Sequence, residues 1–203
     1  MSRDTLHAEL VAILVIVAVV GGLVVSEAQA PPASPAPAAP AGVPQDAVER
    51  ADAAMKALQG ALLGRLREEM ARGGPPAAIT VCRDEAQAIT ARIGREQGIA
   101  IGRTSARLRN PANAAPAWAR QTVASNEGRR AADVQQVVID LGDRVGVMRP
   151  IGTVDTCTNC HGPEASMAPA VREVLAKAYP NDQATGFAPG DLRGWMWVEV
   201  PTR

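Results

Sequence analysis

Two amphipathic helical segments, a strand–Gly-Asp–strand hairpin, and a last helix with a closing strand predict an α+β fold with an antiparallel sheet. The chain has 203 residues, room for one domain with a real core once a leader is set aside. The first helical pattern covers 45–72. Val48, Ala51, Met55, Leu58 and Leu62 keep one apolar face, and Asp46 with Glu49 have capping-box spacing. Arg72-Gly73-Gly74-Pro75 ends it. A second stripe, Ile79, Cys82, Ala86, Ile89 and Ile93, runs through about 76–96 and turns Cys82 toward the core. Gly98 opens a stretch that is irregular or part strand. Pro116 then suits the first turn of a short helix reaching about Ser125. Residues 134–141 and 145–151 are β-rich and flank Gly142-Asp143, which predicts a hairpin. Pro169 can start a helix with Val171, Val174, Leu175 and Ala178 inward, and WMWVEVP reads as the last strand. There is no internal repeat.

Two segments precede this domain. Leu10 to Val25 is a run without a charge, and Ala28-Gln29-Ala30 after it is a small-x-small cleavage pattern. The run fits a signal-peptide core, and it also fits a short membrane anchor. Arg3 is offset by Asp4 and Glu9, and the proline-rich segment after residue 30 looks like a tether, so the anchor through residues 10–25 is the preferred form. Either form exports the domain. Residues 31–44 hold six prolines, which makes them an extended spacer of about 40 Å. The expected organisation is a leader or anchor at 1–30, a Pro/Ala-rich linker at 31–44 and one domain at 45–203. Its expected location is periplasmic or otherwise extracytoplasmic.

Composition narrows the function. Lysine and arginine (21) balance aspartate and glutamate (21), so no nucleic-acid partner is expected. Hydrophobic residues are 47% of the chain but aromatics only 2%. A core so poor in large rings fills with small aliphatics, or with a flat apolar body that is not an amino acid.

The stretch VDTCTNCHGPE (154–164) holds Cys157, Cys160 and His161, out of three cysteines and two histidines in the chain. A zinc site asks for four Cys/His ligands, usually in two pairs. Beyond the cluster the exported domain offers only Cys82. A thioredoxin-type dithiol belongs at a helix start inside a βαβ pattern, which is missing here. The spacing C-x-x-C-H is that of covalent c-type haem. Cys157 and Cys160 would add across the two vinyl groups, and His161 would lie under the iron. The expected cofactor is one covalent haem c per chain. Candidates for the sixth ligand are Met55, Met70, Met148, Met167 and Met196, a lysine, Cys82, or an open position. On its stripe alone Cys82 reads as a small buried apolar residue.

AITVCRDEA around Cys82, GRTSARLRNPANAAPAW (102–118), Arg149-Pro150-Ile151, CTNCHG and YPNDQATGFAPGDLRGWMWVEVP (179–201) occur in an order that resembles the c-type-haem PAS-like domain family. That family includes small exported cytochromes and extracytoplasmic haem-sensor domains of histidine kinases. The resemblance implies a PAS-like antiparallel sheet with flanking helices, and axial ligation by His161 and, at the matching position, Cys82. Arg103, Arg107 and Arg109 are then either partners of the haem propionates or a solvated charged loop. One departure is Ala119, where family members commonly carry an acid after the tryptophan matching Trp118.

Iron held by imidazole and sulfur is closed to outside ligands, which suits redox work better than catalysis. The expectation is an exported mono-haem cytochrome that meets a redox partner protein and is not an enzyme. The alternative is a haem-based redox or gas sensor subunit that signals through a partner, since no output element comes after the last strand. A peroxidase-like enzyme would need a distal acid–base group, and no exported histidine besides His161 is available for it.

Overall fold

A computed structural model describes residues 42–202. The leader expected at 1–30 and nearly all of the linker lie outside the described residues. The order is α1 (Gln45–Thr80), a π turn (Val81–Glu85), α2 (Ala86–Gln97), β1 (Ala100–Thr104), α3 (Arg120–Ser125), β2 (Val137–Asp140), β3 (Arg144–Gly152), α4 (Thr158–His161), α5 (Pro169–Ala178) and β4 (Leu192–Pro201). The four strands form one antiparallel sheet in the order β1-β4-β3-β2. The α+β architecture is therefore observed. Among the described residues, no helix is long and apolar enough to cross a membrane.

The break expected after Arg72 is present inside α1. Gly73 and Gly74 leave helical geometry, Gly74 at φ 67°, and Pro75 and Pro76 begin the next helical stretch. The expected capping box does not form. Pro44 precedes the helix with no side-chain cap, and Glu49 accepts from Gln45 Nε2 (3.4 Å). Asp46 keeps a helix-dipole role in the first turn. Gly142 takes φ +91° in the β2–β3 hairpin, a left-handed turn where only glycine is free of strain. Pro169 opens α5, which buries Val171 and Leu175 and leaves Val174 and Ala178 half-buried.

Strand alternation divides the core into two faces. Val145 and Val147 of β3, Ile101 of β1, and Met196, Val198 and Val200 of β4 meet Ala51, Met55 and Leu58 of α1. On the other face Met148 and Trp195 meet Ala119, Val123 and Val134. Ala119 is fully buried there, where an acid would lose its hydration.

Gly102 lies against the Trp197 ring, and a Cβ at this position would stand 2.5 Å from Trp197 Cζ2. Gly102→Ala is therefore expected to lower folding stability by about 1–3 kcal/mol, the usual cost of overpacking. Thermal unfolding checks it, and an unchanged midpoint would show that the ring moves aside freely.

Candidate cofactor site

Cys82 sits in a local irregularity that the helical stripe could not show. The Ala86 N–H bonds to Val81 O, an i→i+5 contact, so Val81–Glu85 is a π turn and not a continuation of the α-helix. Within it Val81 is buried, and Cys82, expected to face the core, is half-buried. Arg65 of α1 holds the end of this turn through a two-pronged contact with Glu85 (2.7 and 2.9 Å).

Cys157 closes a short 3-10 turn (Asp155–Cys157), and α4 carries Cys160 and His161. All three cysteines are free thiols, half-buried. Cys160 packs with Ile79, Met167, Val171, Leu175 and Tyr179. Ile79 comes three residues before Cys82, so this cluster joins the two halves of the site. Burial pushes the Cys160 thiol up; Arg109 opposes, and charge at Cys82 and Cys157 adds to the rise. Burial likewise pushes the Tyr179 hydroxyl up to about 12, with Cys82 adding to it. The Cys82 sulfur is thus within electrostatic reach of both.

His161 is held by the loop before β4. Phe187 N–H bonds to His161 O (2.8 Å) and Gly186 N–H to Gly162 O (2.6 Å). Ala184 O lies 2.7 Å from His161 Nδ1. A proton on Nδ1 satisfies that carbonyl and leaves the Nε2 lone pair available to a metal. Burial, with Arg193 and Arg109 nearby, pushes the imidazole down to about 2, so it is neutral at ordinary pH.

Arg109 fixes this loop. It is 8% exposed and pairs with Asp182 (2.8 Å), whose other oxygen accepts the Ala184 N–H (2.8 Å). It also donates to Cys160 O and Ala184 O. Arg107 donates to Gln183 O and Thr185 O and lies 4.3 Å over the Phe187 ring. Neither guanidinium belongs to a solvated loop, and both are committed to backbone or carboxylate. Arg103 differs. It pairs across to Met196, which places it on the helix-facing side of the sheet. Its Nε is buried without a hydrogen-bond partner among the described residues. Burial pushes it down, and Cys82 opposes.

Sequence reasoning missed Arg193, Asp182, Ala184 and Phe187. The latter three lie in a loop without periodicity, and the working atom of Ala184 is its carbonyl, which no residue type reveals. Arg193 Nε lies 3.2 Å from His161 Nδ1. Burial pushes its guanidinium down to about 10. Of the candidate methionines, Met148 is fully buried on the far face of the sheet, and Met55 and Met196 belong to the helix-side core. Met167 alone shares a cluster with Cys160. Among the described residues, no His/Cys/Asp/Glu group has the form of a conventional metal cluster.

The fold and site together define a class: an α+β domain with a thiol pair, an imidazole and a further thiol set among arginines, of which Arg109 is buried. A family model described as Tll0287-like matches residues 40–201, and the chain belongs to that family. This bears out the family resemblance read from the sequence. The crystal structure of the cyanobacterial heme-protein Tll0287 shares the fold, with TM-score 0.58 and 20% identity over 79% of this chain and 98% of that one. No curated protein matches.

Proposed function

We propose that this domain binds one haem covalently through Cys157 and Cys160, with His161 and Cys82 as axial ligands, and serves as an exported electron-transfer cytochrome. The observation that carries this reading is the His161 setting. Burial disfavours its charged form, its Nδ1 lies 2.7 Å from Ala184 O, and a proton there leaves Nε2 free on the short helix that also carries Cys160. The remaining residues fit the same group. Four arginines (Arg103, Arg107, Arg109 and Arg193) face one nearby acid, Asp182, and Arg103 Nε has no protein partner among the described residues. That excess suits the two carboxylates of a haem, with Arg103 the residue placed to hold one. The related heme-protein and the PAS-like character of the family agree with this reading.

Bound there, haem supplies a one-electron iron couple. The chain's own residues set its conditions. Cys157 and Cys160 would hold its edge, the 182–187 loop orients His161, and Cys82 on the π turn would supply the second ligand. An anionic sulfur ligand favours the ferric state. With both axial positions filled the domain is a redox module and not an enzyme, and its partner is a redox protein. Export, by anchor or cleaved leader, belongs to the same proposal.

A haem-based sensor is the second reading, favoured by one observation. Cys82 sits on a π turn, a rare backbone form found frequently at functional sites. Visible spectra of the oxidised, reduced and carbon monoxide-treated reduced protein separate the two. Six-coordinate spectra unchanged by the gas are expected. Ready binding of carbon monoxide would contradict the closed electron-transfer site and favour the sensor.

A further inference from the structure

β4 contains a bulge at the point where it passes His161. Ile151 pairs with Gly194 and Gly152 with Leu192, which leaves Arg193 as the extra residue without a cross-strand partner. Bulges re-aim side chains, and this one aims a guanidinium at the back of the imidazole. Arg193 Nε comes to 3.2 Å from His161 Nδ1, Nη1 to 3.5 Å from Arg107 O, and the guanidinium carbon to 5.2 Å from the Phe187 ring centroid. Arg107 covers the same ring at 4.3 Å. The cation is therefore held against both the Phe187 ring and the Arg107 carbonyl.

Nδ1 has two neighbours, Ala184 O at 2.7 Å and Arg193 Nε at 3.2 Å, and a single proton or lone pair to offer. If Arg193 donates to Nδ1, the ring proton moves to Nε2 and the ligand is lost. If Nδ1–H donates to Ala184 O, Nε2 is free. The shorter contact, 2.7 Å against 3.2 Å, favours the second arrangement. In it the guanidinium acts through its charge. The carbonyl draws the Nδ1 proton and builds negative character on the ring, while the cation beside the same nitrogen opposes that drift.

We propose that Arg193 is a positioning residue that holds down the electron donation of His161 to a metal bound at Nε2, and so raises the reduction potential of the site. The inference rests on the haem reading and deepens it. Its sign is opposite to that of the Cys82 sulfur, so the two residues would pull the potential in different directions.

The test is a potentiometric titration of haem-loaded full-length protein carrying Arg193→Gln or Arg193→Lys, beside wild type. Ferric spectra report whether both axial ligands are retained. Arg193→Gln is expected to lower the reduced-to-oxidised ratio at fixed ambient potential at least tenfold, which is about 59 mV for one electron. Arg193→Lys keeps the charge and is expected to stay within about threefold of wild type, on the same one-electron scale. Equal shifts in the two variants, no shift in either, or a rise with glutamine would overturn the inference and leave haem binding intact. Should Arg193→Gln fail to load haem, Asp182→Asn serves instead. It leaves Arg193 in place, removes the nearest negative charge and keeps an acceptor for Ala184 N–H. It is expected to raise the potential, and an unchanged or lower value overturns the inference. A wild-type chain that carries no haem overturns both this inference and the reading beneath it.

Discussion

Cys82→Ser is expected to leave haem attached through Cys157 and Cys160, change the ferric spectrum, raise the potential and open the iron to carbon monoxide. The sulfur stands on the π turn, within electrostatic reach of Cys160, Tyr179 and Arg103. Serine keeps the size of the side chain but is a much poorer iron ligand. Axial ligands together span about 0.8 V of haem potential, so loss of the sulfur is expected to exceed any effect of a neighbouring charge. The same spectra and titration used for wild type check it. A variant indistinguishable from its parent would reduce Cys82 to packing, and Met167, which shares the cluster with Cys160, would become the next residue to replace.

Arg109→Met is expected to cost about 3–5 kcal/mol of folding stability, the range for removing one partner of a buried ion pair. Arg109 and Asp182 are only 8% and 11% exposed. The substitution leaves Asp182 charged and unpaired, and takes donors from Cys160 O and Ala184 O. It also loosens the Asp182–Ala184 link that places the carbonyl on His161 Nδ1. A lowered denaturation midpoint with an altered ferric spectrum is the expected pair of readouts. Arg65 offers the contrast. It makes as many contacts, to Glu68, Glu69 and Glu85, but in a solvent-screened network. Arg65→Met should cost much less. Equal losses for the two arginines would mean that burial is not what makes Arg109 matter.

The parts of this molecule that were legible in the sequence are those encoded locally. Cys157, Cys160 and His161 lie within five positions, and their spacing carries its chemistry wherever the fold places it. The α1 stripe, the Gly142-Asp143 turn and Pro169 are equally local, and each lies in the expected element. The features that stayed hidden depend on tertiary context. A π turn has the residue types of an α-helix, so the stripe through Cys82 ran on unbroken past the place where the helix widens. The bulge at Arg193 breaks the two-residue alternation without any glycine at the bulged position. The Ala184 carbonyl is a backbone atom. Three arginines looked alike in one segment, yet only burial and partners distinguish Arg103, whose Nε has no partner among the described residues, from Arg107 and Arg109, which tie loops together.

The central claim is covalent haem on an exported domain, and mass tests it most directly. The chain is recovered from the fraction outside the cytoplasmic membrane of a native host, extracted with acid acetone to remove unattached haem, and weighed intact. The account predicts one haem retained per chain, and its loss when Cys157 and Cys160 are both replaced by serine. A chain at the mass of its polypeptide alone, or haem-loaded chain found only in the cytosol, would contradict it.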